Sequence, residues 1–137
     1  MTINERQFGR IVVLDVRGPI AGRDAAAALL AAIRRRARTG ARMVVANLGG
    51  VPSIDLGGLG ALVEAGSAMR AVDGGLTLTG ITRRIRDLIV ITRLLTVFDT
   101  FESVEDAVAA FTGVSRAPLT VPSPATLGAI TRFLRRA

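Results

Sequence analysis

The sequence predicts a single α/β domain built on a mixed, mainly parallel β-sheet. Three observations lead to this fold class. Short apolar runs rich in β-branched residues alternate with longer segments whose apolar residues recur at helical spacing. Their order along the chain is β-β-α-β-α-β-α-β-α, and strands joined through helices favour parallel pairing with right-handed crossovers. Half of the 137 residues are apolar, which is enough for one packed core.

The chain has neither cysteine nor histidine. Disulfides, thiolate ligands and imidazole acid–base chemistry are therefore excluded, and we expect a protein that is not an enzyme and holds no metal or cofactor. The longest apolar run, residues 25–33, is shorter than the ~18 residues of a membrane span. The first residues also lack the basic-then-apolar layout of a signal peptide, so we expect a cytoplasmic protein.

The formal net charge is +7, and all 18 basic residues are arginine. Two interpretations remain open. The charge attracts an anionic partner such as nucleic acid or a membrane surface, or it reflects a GC-rich genome that favours Ala, Arg and Gly codons together. Nucleic acid is the less favoured partner, because the aromatic residues that such proteins interleave with charge are scarce.

The chain begins with a predicted hairpin. Residues 3–8 and 11–16 have the composition of strands, and Gly9-Arg10 is the turn between them. Gly18 and Pro19 end the second strand.

A helix follows, with Asp24 as its expected N-cap and Gly40 as its stop. Arg34, Arg35, Arg36 and Arg38 crowd its last turns, where they oppose the negative end of the helix dipole. Its predicted buried face consists of Ala26, Leu30, Ile33 and Ala37, with Leu29 beside them.

The segment Ser53–Gly60 is the feature around which the rest of the domain is organised. The continuous apolar run 43–48 precedes it and is typical of a buried parallel strand. Asp55 can cap the second helix, predicted over residues 56–72. A helix start beside glycines exposes unpaired backbone N–H groups, so we expect a binding or regulatory site here.

The remaining elements follow the same alternation. We predict a strand at 76–79, a helix at 83–93, a strand at 96–101 and a last helix. Ser103 is the expected N-cap of that last helix, with Asp106 at its third position.

The predicted domain ends near residue 112. Residues 113–124 contain Pro118, Pro122 and Pro124 and are interpreted as a linker. Residues 125–137 are predicted to form a short amphipathic helix. Such a helix docks on its own domain or on a second copy, or associates with a membrane surface, and these alternatives remain open.

Three stretches in this order resemble the STAS domain family (sulfate transporter and anti-sigma factor antagonist). Residues 50–62 resemble the family's signature of an apolar strand followed by Asp-Ser-Ser/Ala-Gly-Leu-Gly. The hairpin end Val16-Arg17-Gly18 and residues 94–107 agree in order and spacing. The resemblance covers about residues 6–112, and it implies an STAS-like fold and a protein-interaction module rather than an enzyme.

The resemblance also implies a phosphoswitch that this chain lacks at the standard position. In bacterial antagonists of the family, the Ser after the signature Asp is phosphorylated by a kinase that is itself the anti-sigma factor. The added phosphate carries nearly two charges and reshapes binding. Here that residue is Leu56, followed by Gly57, and neither accepts a phosphate. The usual Glu-Leu-Asp after the hairpin is replaced by Pro19-Ile20-Ala21, which removes acidic charge.

Other hydroxyl groups near this segment are weaker candidates for phosphorylation. Ser53 lies two residues before Asp55 and is better interpreted as a tolerated small residue. Thr79 and Thr82, at the start of the third helix, are similarly weak.

Our leading hypothesis is a module resembling an anti-sigma factor antagonist and not switched at the standard site. Its expected partner-binding residues are Ser53, Asp55, Leu56, Gly57, Gly58 and Leu59. The resemblance implies three partner classes: an anti-sigma factor kinase, a stressosome-like assembly, or the ATPase of an ABC transporter. A homodimer is a further option.

Two alternatives belong to other classes. The first is binding of a nucleotide or other anion at the Gly-rich turn, with Arg83 and Arg84 as contacts. The turn lacks the Lys-Ser/Thr ending of a Walker motif, and close packing of helix on strand is the better explanation of its glycines. The second is attachment to membrane or nucleic acid through the arginine-rich tail.

Overall fold

The computed structural model describes residues 1–94 and 98–112, except for the side chain of Thr112. Its elements follow the predicted order, which confirms the fold class. They are β1 (Thr2–Phe8), β2 (Ile11–Arg17), α1 (Arg23–Arg38), β3 (Met43–Gly50), α2 (Leu56–Ala71), β4 (Gly75–Thr79), α3 (Arg83–Ile91), β5 (Asp99–Phe101) and α4 (Val104–Thr112).

The five strands form one sheet in the order β1-β2-β3-β4-β5. The predicted hairpin pairs β1 with β2 antiparallel, and Gly9 at its turn has a φ of 62°, which favours glycine. The pairs β2–β3, β3–β4 and β4–β5 are parallel. The C-terminal ends of β2 to β5 therefore share one edge of the sheet, the carboxyl edge, and their N-terminal ends share the opposite amino edge.

The two faces of the sheet carry separate cores. Side chains of alternate strand residues such as Val12 and Leu14 pack with α1, α2 and α3 in the larger core. Ile11 and Val13 point to the other face and pack with α4. Helices α1, α2 and α3 each run from the carboxyl edge back to the amino edge, as parallel strand connections require.

Helix α1 departs from the prediction at its start. Its N-cap is Gly22, which has a φ of 90°, and no side chain caps it. The predicted cap, Asp24, lies within the first turn instead. The reason is that the Gly22 N–H is held by the carboxylate of Asp55, 2.9 Å away, so the chain becomes helical immediately afterwards.

The buried face of α1 is also slightly rotated from the predicted one. Ala26 and Leu30 are only half-buried. The side of α1 that faces the core is turned by about one residue from the side that the sequence predicts. The buried residues are Leu29, Ala32, Ile33 and Ala37. The predicted stop is confirmed, since Gly40 has a φ of 96° and the Ala41 N–H bonds the Arg36 carbonyl.

Later elements match closely. Ser103 caps α4 as predicted, because its Oγ accepts the Asp106 N–H at 3.1 Å. Strand β3 continues two residues past its predicted end at Leu48, and Gly50 pairs with Arg17. The predicted last strand begins at residue 96, which lies outside the described residues, as do the predicted linker and C-terminal helix.

In the described part of the chain, no helix has the length and apolar character to cross a membrane.

Candidate functional site

The segment singled out in the sequence lies at the carboxyl edge, in the connection from β3 to α2. The loop after β2 is paired with this connection through a bridge between Ile20 and Ile54. The Ile20 N–H donates to the Ser53 carbonyl at 3.0 Å, and the Asp55 N–H donates to the Ile20 carbonyl at 3.1 Å. Two connections that are far apart in sequence therefore form one rigid surface.

Asp55 fixes the start of α2, as the sequence predicts, and also the start of α1. Its Oδ1 accepts the Gly58 N–H at 2.7 Å, and its Oδ2 accepts the Gly22 N–H at 2.9 Å. These backbone donors, Gly22 first and then Gly58, hold the pKa of Asp55 below its usual value. The side chain is thus a fully engaged carboxylate that joins two helix starts. Apart from the glycine at position 22, no feature of the sequence indicates the second bond.

The glycines of the turn have different roles. A Cβ at Gly58 would lie 2.7 Å from Ile20 Cγ2 and 2.9 Å from the Ile20 carbonyl oxygen, so the fold requires glycine there. This confirms close packing as the explanation for Gly58. A Cβ at Gly57 would make only ordinary contact with Asp55, and one at Gly60 would meet no atom within 4 Å. The packing of the described residues therefore does not account for Gly57 or Gly60.

Leu56 is the first residue of α2, and 66% of its side chain surface is exposed. Its neighbours in sequence, Ile54 and Leu59, are both buried in the core. Leu59 was among the predicted partner contacts, but its burial puts its side chain out of a partner's reach. Gly58 is buried as well. Fewer of the predicted partner-binding residues are therefore accessible to a partner than the sequence suggested.

The other candidate residues lie at the same edge but take no part in this network. Arg83 and Arg84 are exposed at the start of α3, and within the described residues neither forms a hydrogen bond or ion pair with the turn. Ser53 is half-buried and contributes its carbonyl oxygen. Thr79 is buried, which puts its hydroxyl out of a kinase's reach, and that hydroxyl has no hydrogen-bond partner within the described residues. The Thr82 hydroxyl accepts the Ile85 N–H, so it is already used by the fold.

The chemistry available at this surface is limited. Among the described residues, no group of three or more acidic side chains is arranged to hold a metal ion. The one ionised group at the start of α2 is engaged by backbone donors. This surface presents the exposed Leu56 beside Gly57 and Gly60, where an added Cβ would clash with no neighbour. Such a surface suits apolar contact with a partner.

A mixed five-stranded sheet with this helix arrangement, and a capped, apolar helix start at its carboxyl edge, defines a class of small α/β domains. The STAS domain family model matches residues 2–107. The chain therefore belongs to the STAS domain family.

Solved structures with this fold support the assignment. The unphosphorylated form of SpoIIAA, an anti-sigma factor antagonist, is 19% identical with a TM-score of 0.72, covering 84% of this chain and 100% of that one. The phosphorylated form of SpoIIAA, a cell fate determinant of Bacillus, is 19% identical with a TM-score of 0.62, covering 78% and 96%. A sulfate transporter family protein from Wolinella succinogenes is 18% identical with a TM-score of 0.64, covering 74% and 84%. At these identities the likeness establishes the fold. No curated protein matches the chain in sequence.

Proposed function

We propose that this protein is a non-catalytic interaction module of the anti-sigma factor antagonist type, which docks its partner through the start of α2 without a phosphoswitch at that position. The observation that carries the proposal is Leu56, which is two-thirds exposed where the family places a phosphorylatable serine. A leucine cannot be phosphorylated, so phosphorylation at this position does not switch its contact with a partner on or off.

The energetics favour a contact at Leu56. Burying one leucine side chain stabilises a complex by ~1.5–3 kcal/mol, which is enough to change the affinity at least tenfold. Gly57 and Gly60 present bare backbone on the same helix, and a partner can approach it closely. Glycine inside a helix lowers the stability of that helix by up to ~1 kcal/mol relative to alanine. The packing of the described residues does not explain why Gly57 and Gly60 are kept despite this loss.

The partner class that we favour is an anti-sigma factor of the kinase type. The support is the likeness to SpoIIAA, whose structure is described as that of an anti-sigma factor antagonist. A stressosome-like assembly and the ATPase of an ABC transporter are the alternatives, the second in line with the likeness to a sulfate transporter family protein. An anti-sigma factor partner would place this protein in the cytoplasm.

Site-specific cross-linking in the source cells tests the proposal. A photoreactive phenylalanine analogue replaces Leu56 in one variant and Ala28, exposed in the middle of α1, in the control. We expect one protein to be captured from position 56 and not from position 28, and its identity to decide between the three partner classes. Equal capture from both positions, or none from position 56, contradicts the proposed docking surface.

Anion binding at the turn is a weaker candidate. The Asp55 carboxylate already occupies the start of α2, where it accepts the Gly58 N–H that a phosphate would need. We therefore expect no rise in melting temperature with phosphate or nucleotides at millimolar concentration. A clear rise would revive this function, because a ligand that binds the folded state must stabilise it.

A further inference from the structure

The exposed large apolar side chains are unevenly distributed over the domain. In the described part of the chain, Leu56 and Met1 lie at the carboxyl edge, and four others lie at or beside the amino edge. Those four are Phe8, Val72, Val90 and Ile91. Ile91 is 77% exposed and the other three are about half exposed, so the amino edge carries more exposed apolar surface than the rest of the domain.

The topology explains why these residues are gathered at one edge. Phe8 ends β1 at the hairpin turn, Val72 follows α2, and Val90 and Ile91 form the last turn of α3. Backbone hydrogen bonds link the connections, since the Arg42 N–H donates to the Arg10 carbonyl and the Gly75 N–H donates to the Arg42 carbonyl. The hairpin turn and the starts of β3 and β4 therefore form one continuous surface.

The same edge is strongly basic. Arg10, Arg38 and Arg93 are exposed there, and within the described residues none of them has an ion-pair partner. Asp73 is the exposed acidic residue at this edge in that part of the chain. The Arg6 guanidinium lies 6.0 Å from the centroid of the Phe8 ring, but it is paired with the Asp15 carboxylate at 2.7 Å and so adds no unpaired charge to this edge.

The carboxyl edge is balanced by comparison. Its exposed arginines at positions 17, 23, 83 and 84 are matched by exposed acidic residues at positions 24, 55, 102, 105 and 106. The net positive charge of the domain is therefore concentrated away from the proposed protein-docking site.

The sequence beyond α4 also has an excess of arginine over acidic residues. Residues 113–137 follow α4 in the sequence. They include four arginines and no acidic residue.

We propose that the amino edge, defined by Phe8, Arg10, Arg38, Val90, Ile91 and Arg93, is a docking surface for an anionic lipid bilayer. Arginines beside exposed aliphatic and aromatic side chains suit a surface that offers negative head groups above an apolar layer. Nucleic acid fits less well, because aliphatic side chains such as Val90 and Ile91 offer no stacking surface to bases. The protein-docking site at the opposite edge stays accessible while the domain lies on the membrane.

Sedimentation of the full chain with vesicles tests the proposal. Vesicles of phosphatidylcholine are compared with vesicles containing about one third phosphatidylglycerol, at low and high salt, and a short DNA duplex is the competing ligand. We expect binding to the anionic vesicles only, weakening as salt screens the charges. Arg10→Gln with Arg38→Gln should reduce it about thirtyfold, the effect of two arginines near an anionic surface.

A pair of charge-matched variants locates the surface. Ile91→Glu and Leu56→Glu each replace an exposed apolar residue with the same acid, at opposite edges. We expect Ile91→Glu to weaken vesicle binding and Leu56→Glu to leave it within about twofold, with circular dichroism verifying that both are folded. Equal effects of the two variants, binding that survives the double arginine change, or binding to DNA but not to vesicles would each overturn the proposal.

Discussion

Asp55 shows how much one residue can determine at this site. The sequence identifies it as the cap of α2, because Asp is a favoured N-cap immediately before a segment whose apolar residues recur at helical spacing. Its second bond, to the N–H of Gly22, could not be predicted. That bond depends on the loop after β2 returning to the β3–α2 connection, which is a property of the assembled sheet.

The engagement of Asp55 predicts a pH dependence of stability. Backbone donation by Gly22 and Gly58 lowers the folded-state pKa below the ordinary 3.8. The carboxylate therefore contributes stability that is complete above the unfolded pKa and is lost as the pH falls through the folded-state pKa. We expect Asp55→Asn to be less stable than wild type in urea unfolding at neutral pH, with the difference shrinking below the ordinary pKa. A difference that stays constant into acid would contradict this role.

Gly58 and Gly60, two positions apart in α2, should respond oppositely to substitution by alanine. At Gly58 a Cβ would lie 2.7 Å from Ile20 Cγ2, so we expect Gly58→Ala to destabilise the domain by about 1–3 kcal/mol. At Gly60 a Cβ would meet nothing within 4 Å, so Gly60→Ala should stabilise it by about 0.4–1 kcal/mol. Urea unfolding measures both, and a destabilised Gly60→Ala would contradict the packing described here.

Helix α1 shows where element-level prediction succeeds and where it stops. The helical spacing of its apolar residues and its end at Gly40 follow from the local sequence. Which of its faces is buried depends on where the sheet lies beneath it. The arginines near its end were attributed to the helix dipole. Arg35 and Arg36 also reach across to β1, where Arg36 Nε lies 2.6 Å and Arg35 Nη2 lies 2.8 Å from the Glu5 carboxylate.

This arrangement predicts that breaking the two ion pairs of Glu5 costs more stability than breaking the single pair between Arg34 and Glu64. The Glu5 side chain is only one-quarter exposed and binds both arginines, so we expect Glu5→Gln to lower the free energy of unfolding by about 1 kcal/mol at low salt. Arg34 lies 3.6 Å from Glu64 with both side chains more than half exposed, so Arg34→Gln should change it by less than about 0.5 kcal/mol. Urea titrations at low and high salt measure both. Equal losses for the two variants would show that Glu5 does not tie β1 to α1.

At the scale of the whole molecule, the element order was predictable because each strand and helix has a strong local pattern, and the family because residues 50–62 resemble its signature. The division of the surface into two edges was not predictable, because it joins residues as distant in sequence as Phe8 and Ile91. Only the parallel arrangement of β2 to β5 brings the ends of α1, α2 and α3 to one side and Leu56 to the other. The sequence therefore indicated the residue that we propose for docking, and the fold separates that residue from the basic surface.

The most direct test of the central claim is the affinity of the purified partner, once identified by cross-linking at position 56, for three forms of the full chain. Isothermal titration compares wild type, Leu56→Glu and the charge-matched control Ile91→Glu. We predict at least a tenfold loss of affinity for Leu56→Glu, because a buried leucine contact worth ~1.5–3 kcal/mol is replaced by a charge, and no change beyond about twofold for Ile91→Glu. Wild-type affinity in a folded Leu56→Glu variant would contradict the claim that this protein docks its partner through the start of α2.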